Sequence, residues 1–465
     1  MVTISSVPFI QAAGTTNVGR LFHSTAAAFP MRIALQDGDN AITYARLEDR
    51  SNCLANFLLA KNIQPGDRIA VLTRNRYEYF ELVLAAAKIG AIIAALNWRL
   101  GDNELKHCIN LVSPNLLVTT EEFNETLDRL DARNIQTFII GDEYENTIAT
   151  TPTDLPLNNI DPESGLVILY TSGTTGLPKG ALISHRAMIA RGLIYNLVMH
   201  VPDADNFVAW TPFYHMVATD QGLATLLQGG TVWCVDGYQP ERLRWLVENL
   251  KINWFVLVPG MVGSFSEELR KHNVKPKGVN LIGAMADLIP KEDIAEATRL
   301  FNAPFLNTFG ATETGLPPGS GGRIPVGLAP ESLSKIQTPY CDLRLEDSDG
   351  NEVPVGMPGE ASIAGPALFS GYWNSEETNL SDFRNGRFHM GDVLRRNKDG
   401  TLDYVDRVKY MIKSGGENIY PAEIESVLTT DPRIVTAIVV RKTDSKWGEV
   451  PVVFVVKRCV ELSED

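Results

Sequence analysis

Residues Tyr170–Gly180 read YTSGTTGLPKG. Glycines let a backbone approach an anion closely, hydroxyls add donors, and Lys179 adds positive charge. The run therefore has the make-up of a polyphosphate cradle. It is not a Walker-type loop, because the spacing GxxxxGK followed by Ser or Thr does not occur. The apolar run Leu166–Thr171 ahead of it is predicted as a strand, and a helix is predicted to start near His185.

On either side, short apolar runs alternate with helical patterns. Arg68–Arg74, Ala91–Leu96, Leu116–Thr119 and Thr137–Ile140 read as strands, with helices over Tyr77–Gly90, Asp102–Val112 and Glu122–Arg133 between them. A second series follows, with strands at Phe207–Trp210, Thr231–Val235, Trp254–Val258 and Val279–Ile282. This alternation predicts βαβ units and a mainly parallel sheet. Beyond Pro325 the texture changes to short strands with turn signals, including Asp399-Gly400 between two apolar runs, which predicts a hairpin. Helix Pro421–Thr430 and strands Ile434–Arg441 and Val450–Lys457 complete the pattern. The expected fold class is α/β. Two βα subdomains, about 1–165 and 166–325, and an antiparallel β-barrel or sheet over 326–405 make up a large N-terminal domain. A hinge at 406–411 and a small α+β C-terminal domain over 412–465 follow.

Composition narrows the function. The chain has 465 residues, 44% of them hydrophobic, and a net charge of −14 from 42 Lys+Arg against 56 Asp+Glu. Such a field disfavours nucleic acid and anionic membrane as bulk partners. The most apolar stretch, Leu82–Leu96, is interrupted by Lys88 and Gly90 and is too short to span a bilayer. Five scattered cysteines without a CxxC suit a reducing, cytoplasmic setting. Neither a GxSxG elbow nor an HExxH pair is present, so serine-esterase and zincin chemistries lack their signatures.

The loop at 170–180 resembles the signature of the adenylate-forming superfamily, which holds acyl-CoA synthetases, luciferases and peptide-synthetase adenylation domains. Further stretches resemble that family in the same order: Asn307–Gly315 (NTFGATETG), Phe388–Asp392 (FHMGD) and Asp406–Glu425 (DRVKYMIKSGGENIYPAEIE). The resemblance implies two half-reactions. A carboxylate attacks the α-phosphorus of ATP, releasing pyrophosphate, and a thiol such as that of CoA then displaces AMP. It also implies residue roles. Ser172, Gly173, Thr174, Thr175 and Gly176, with Thr171 and Lys179, would hold the phosphates. Glu313 and the Thr171 hydroxyl would hold Mg²⁺, and Thr312 would donate to the α-phosphate. Gly283, Ala284, Asn307, Thr308, Phe309 and Gly310 would surround the adenine, Phe309 standing where the family usually has tyrosine. Asp392 and Arg407 would hold the ribose. His215 would line the route to the carboxylate, and Lys409 would be the hinge. Ser414, Gly415, Gly416 and Trp447 would line the CoA channel.

Met216, Val217, Met285 and Leu316 are the expected apolar lining for the acid. The wording SGGENIYPAEIE is that of CoA synthetases, so an acyl-CoA synthetase using ATP, Mg²⁺ and CoA is the expected function. The alternative is an adenylation enzyme loading an amino or aryl acid onto a carrier protein, for which Asp220 is the nearest carboxylate to His215. A homodimer is left open. Against this family the chain reads as short. A late catalytic lysine in a P-K-x-x-x-G-K type segment is not reached before Asp465, so the expectation is impaired adenylation with nucleotide binding kept.

Overall fold

The computed structural model describes residues 15–156, 159–171, 176–200, 206–287, 289–414 and 417–458. They form two units. One holds the described residues through Glu331 together with Thr338–Tyr340 and Gly365–Asn379. The other holds Ser332–Gln337, Cys341–Ala364 and the described residues from Leu380 onward.

The first unit contains two mainly parallel sheets. Parallel strands are covered on both faces, so their sequences run continuously apolar instead of alternating; Ile92–Ala95 and Leu116–Thr119 are buried at every position. The six-stranded sheet has the order Thr137–Ile139, Leu116–Thr119, Arg68–Leu72, Ile92–Ala95, Gly165–Thr171, Lys179–Ser184, antiparallel only at the last pair. The eight-stranded sheet runs Gly322–Ile324, Phe305–Asn307, Val279–Ile282, Ile252–Phe255, Asn206–Ala209, Thr231–Cys234, Ile33–Asp37, Asn40–Thr43. It is antiparallel only at its two ends.

The division expected near residue 165 does not follow the sheets. Hairpin Gly165–Ser184 extends the first sheet, with Ile168 and Leu169 beside Ala94 and Ala95, while Ile33–Thr43 crosses to the edge of the second. Lateral pairing sets sheet membership, and chain order carries no signal for it.

The apolar stretch at 82–96 is a core element. Helix Glu78–Ile89 is buried at every position. Its charged residues are paired: Glu78 with Arg76, Glu81 with Arg50, and Lys88 Nζ with Glu48 Oε2 (2.8 Å), Ser51 Oγ and Asn52 Oδ1 (both 2.6 Å). Among the described residues no helix is long and apolar enough to cross a membrane.

In the second unit, Asp342–Glu346, Pro358–Ala364, Arg387–Arg396, Phe383–Arg384 and Leu402–Arg407 form an antiparallel five-stranded sheet. The hairpin expected at Asp399-Gly400 joins strands Arg387–Arg396 and Leu402–Arg407, and Gly400 supplies the positive φ of 86° that the turn needs. A four-stranded antiparallel sheet follows, in the order Glu417–Ile419, Ile412–Ser414, Gly448–Lys457, Ile434–Asp444. Helix Pro421–Leu428 packs on it through Glu425, whose Oε1 accepts from Val439 N–H at 2.7 Å.

Candidate active site

The phosphate-loop candidate is a hairpin loop. Thr171 and Lys179 are register partners on antiparallel strands, as are Tyr170 and Gly180. The helix expected near His185 is present, but a strand that the sequence did not suggest stands between it and the loop. Lys179–Ser184 is itself a strand, and helix His185–Met199 begins only after it, capped by Ser184 Oγ accepting from Ala187 N–H at 3.2 Å. The segment KGALIS hides its strand because Gly and Ala weaken the β signal. Strand Lys179–Ser184 thus separates the helix N-terminus from the loop. Ser172, Gly173, Thr174 and Thr175 lie outside the described residues; Gly176 is described, with φ 94°. The hairpin is pinned at its base. His107 Nε2 lies 3.0 Å from Pro178 O, and Tyr170 Oη donates to Cys108 O at 3.0 Å.

A second segment zips onto the free edge of Lys179–Ser184. Ser370 N–H donates to Leu182 O (2.7 Å), Leu182 N–H to Gly371 O (3.0 Å) and Trp373 N–H to Gly180 O (2.8 Å). This puts the Tyr372 ring under Lys179, with Nζ 3.8 Å from the ring centroid. The same tyrosine's Oη donates to Glu313 Oε1 at 2.7 Å, and Phe369 N–H donates to Glu313 O at 2.9 Å. Lys179 and Glu313, far apart in the sequence, are joined through Tyr372. Glu313 is buried, not a solvated surface carboxylate. Thr171 Oγ1 is buried and has no hydrogen-bond partner among the described residues, an orphan that a ligand's or ion's coordination would satisfy.

Thr312 and Glu313 occupy the turn of a small hairpin, Gly310–Ala311 with Gly315–Pro318. Gly310 is obligatory there, because a Cβ would stand 2.0 Å from Gly315 O. Beside this hairpin, Asn307 Oδ1 accepts from Ala286 N–H (3.2 Å) and Thr308 N–H donates to Ala284 O (3.3 Å). Gly283, Ala284, Asn307 and Thr308 are thereby brought together. Phe309 is buried, its N–H donating to Ser320 Oγ at 3.2 Å.

His215 is the N-cap of helix Met216–Leu227, its Nδ1 accepting from Val217 N–H at 3.4 Å. The ring is solvent-accessible, and the protein packed around its other sides holds its pKa below that of a free histidine. Of the expected acid-lining residues, Met216 and Leu316 are buried, Val217 is half-buried and Met285 is exposed. Asp220, one turn into the same helix, is tied to Arg191, Oδ2 to Nη1 at 3.1 Å.

The remaining predicted residues belong to the second unit. Asp392 and Arg407 are register partners, and Arg407 Nε lies 3.0 Å from the buried Asp392 carboxylate. Asp406, which sequence reasoning passed over, accepts from Arg407 N–H (2.7 Å) and from Ala422 N–H (3.0 Å) in the first turn of helix Pro421–Leu428. Lys409 follows strand Leu402–Arg407, and its carbonyl accepts from Arg441 Nη2 at 2.9 Å. Ser414 pairs with Gly448, next to the exposed Trp447. Gly415 and Gly416 lie outside the described residues.

Tyr372 and Arg191 are polar groups at these clusters that no motif disclosed, and Asp406 stands in a quoted motif that assigned it no role. Among the described residues no group of three or more His, Cys, Asp or Glu could hold a metal ion.

Comparison with known proteins identifies the family. The AMP-binding enzyme family matches residues 22–373, and the AMP-binding enzyme C-terminal domain matches 423–464. A feruloyl-CoA synthase of Amycolatopsis sp. is 33% identical over 429 residues, 90% of this chain and 84% of that protein. The fatty acid–(acyl-carrier-protein) ligase ScoC of Streptomyces coeruleorubidus is 30% identical over 432 residues, 89% and 82% of the two chains. The o-succinylbenzoate CoA synthetase MenE of Bacillus subtilis, solved with its acyl-adenylate intermediate OSB-AMP, superposes with a TM-score of 0.79 at 26% identity, covering 94% of this chain and 88% of that one. The chain belongs to the AMP-binding enzyme family.

Proposed function

We propose that the protein is an ATP-dependent carboxylic acid–CoA ligase working through an acyl-adenylate, in the cytoplasm, where its four described cysteines, free and buried, stay reduced. The observation that carries this reading is the linked set Thr171, Lys179, Tyr372 and Glu313. A carboxylate oxygen attacks the α-phosphorus and the bond to pyrophosphate breaks. The CoA sulfur then attacks the acyl carbon, AMP departs, and the thiol proton passes to solvent. Lys179, held over the Tyr372 ring, supplies positive charge to phosphate oxygens, and hydroxyls and amides of 171–176 donate hydrogen bonds to them. Glu313 and the Thr171 hydroxyl offer the hard oxygens that would hold a magnesium ion, which would supply neutralisation of phosphate charge. Thr312 donates to the α-phosphate. Gly283, Ala284 and Asn307–Gly310 hold the base, and Asp392 accepts the ribose hydroxyls beside Arg407. His215 borders the acid. Lys409 is the backbone pivot, and Ser414, Gly415, Gly416 and Trp447 receive the pantetheine of CoA.

Asp220 bears on the substrate. An amino acid would need a free carboxylate for its ammonium group, and Asp220 is buried and paired with Arg191. The reading is therefore an aryl or fatty acid without an amine. The test supplies ATP, Mg²⁺ and a panel of fatty, aryl and amino acids and measures pyrophosphate release. It then measures thioester formation from a synthetic acyl-adenylate with CoA or with a phosphopantetheinyl carrier protein. Acid-dependent turnover of either half-reaction with CoA is expected. Thioester formed on the carrier protein alone would replace the CoA reading, and activity with amino acids alone would replace the acid class.

A further inference from the structure

Arg191 is 2% exposed, as is Asp220, and each of its three guanidinium nitrogens has its own acceptor. Nη1 meets Asp220 Oδ2 at 3.1 Å, Nη2 meets Thr312 O at 2.9 Å, and Nε meets Ala367 O at 3.0 Å. These acceptors come from three separate elements. Asp220 sits on the helix that His215 caps. Thr312 adjoins Glu313. Ala367 leads into the segment that carries Phe369 and Tyr372. Arg191 itself lies on the helix continuous with strand Lys179–Ser184. Gly315, at φ 73°, lets the loop close on the arginine stem, since a Cβ there would come within 3.0 Å of Arg191 Cγ. A guanidinium is a rigid planar fork, and a lysine ammonium in its place would offer one nitrogen for three distant acceptors.

We infer that Arg191, neutralised by Asp220, is a positioning residue that fixes the Thr312–Glu313 turn and the Tyr372 segment against the strand carrying Lys179. This rests on the ligase reading. It separates two roles that are usually confounded, because a buried ion pair can often be replaced by apolar residues with little loss of stability, whereas the two carbonyls would still lose their donor.

The experiment compares the parent chain with R191M/D220L and R191K, recording melting midpoint, kcat and KM for pyrophosphate release and thioester formation, and affinity for a non-hydrolysable acyl-sulfamoyl adenosine. If the parent turns over no acid in either half-reaction, the ligase reading fails, and the adenosine analogue still reports on Arg191. R191M/D220L is expected to melt within a few degrees of the parent while kcat falls about a hundredfold, the scale of a 1 Å misplacement, or analogue affinity at least tenfold. R191K is expected to melt like the parent and lose at least tenfold in the same readouts. Parental kcat and analogue affinity in either variant overturn the inference. Unfolding of both variants assigns the pair to stability alone and overturns it as well.

Discussion

Replacing Tyr372 with phenylalanine deletes one oxygen and tests the link between the lysine and the carboxylate. That oxygen donates to Glu313 Oε1 across 2.7 Å, between two buried side chains. A hydrogen bond to a charged acceptor is worth about 1.5–3 kcal/mol. At ~1.4 kcal/mol per factor of ten, full use of that bond to hold Glu313 in its working rotamer predicts a rate loss of roughly 10- to 150-fold in Y372F. The phenylalanine ring would still lie under Lys179 Nζ, whose distance to the ring centroid is 3.8 Å. Y372L removes the ring as well. A cation–π contact of the half-buried Lys179 adds about 0.5–2 kcal/mol, a further two- to thirtyfold. The assay is acid-dependent pyrophosphate release titrated with Mg²⁺ at saturating ATP, with thermal melts to separate misfolding from misplacement. Y372F should need more Mg²⁺ for half-maximal rate, because Glu313 is the proposed ligand. A Y372F enzyme within twofold of the parent at every Mg²⁺ concentration, or a Y372L enzyme no worse than Y372F, would refute the linkage.

Three further predictions bear on separate parts of the molecule. Burial holds the His185 imidazole down at about 4, below the ordinary 6.5, with Nδ1 accepting from Val18 N–H. Above pH 6.5 the ring is neutral folded or unfolded. Between 6.5 and 4 only the unfolded chain takes the proton, so stability falls as pH drops, by up to about 3 kcal/mol. Urea unfolding of H185Q should show a shallower decline over that range, and parallel curves would exclude His185 as its source. For D392N, ATP affinity should fall about tenfold or more and the preference for ATP over 2′-deoxy-ATP should narrow, since a carboxylate beside Arg407 is lost. An unchanged preference places the ribose elsewhere. G310A forces a Cβ against Gly315 O, 2.0 Å away, so the hairpin bearing Glu313 must open and affinity for a fluorescent ATP analogue should drop at least tenfold. Parental affinity would show that this turn does not shape the nucleotide site.

Which parts of this architecture were legible depends on where the determining interaction lies along the chain. Parallel core strands announce themselves because both faces are largely buried and their sequences run mostly apolar. Arg68–Leu72, Leu116–Thr119 and Val279–Ile282 therefore fall within a few residues of their expected bounds. Strand Lys179–Ser184 was missed because its neighbours do the work. Gly180 is required by the approach of Ile168, where a Cβ would stand 2.9 Å from Cγ2, and that contact exists only once the hairpin has formed. Strand Ile33–Asp37 was not among the expected elements, and only its parallel pairing with Thr231–Cys234 shows which sheet it joins.

The same logic separates the legible site residues from the hidden ones. Thr171, Lys179, Thr312 and Glu313 stand in short runs whose composition is itself unusual, so local sequence betrays them. Tyr372 and Arg191 are chemically ordinary in their own segments, a tyrosine before a tryptophan and an arginine in the middle of a helix. Their meaning comes from partners that are remote in sequence: Tyr372 from Lys179 and Glu313, Arg191 from Asp220, Thr312 and Ala367. A loop that presents hydroxyls and a lysine can be read from its letters. The groups that hold such a loop at a fixed distance from a carboxylate cannot, because any rigid donor at that place would serve, and only the folded chain decides which residue stands there.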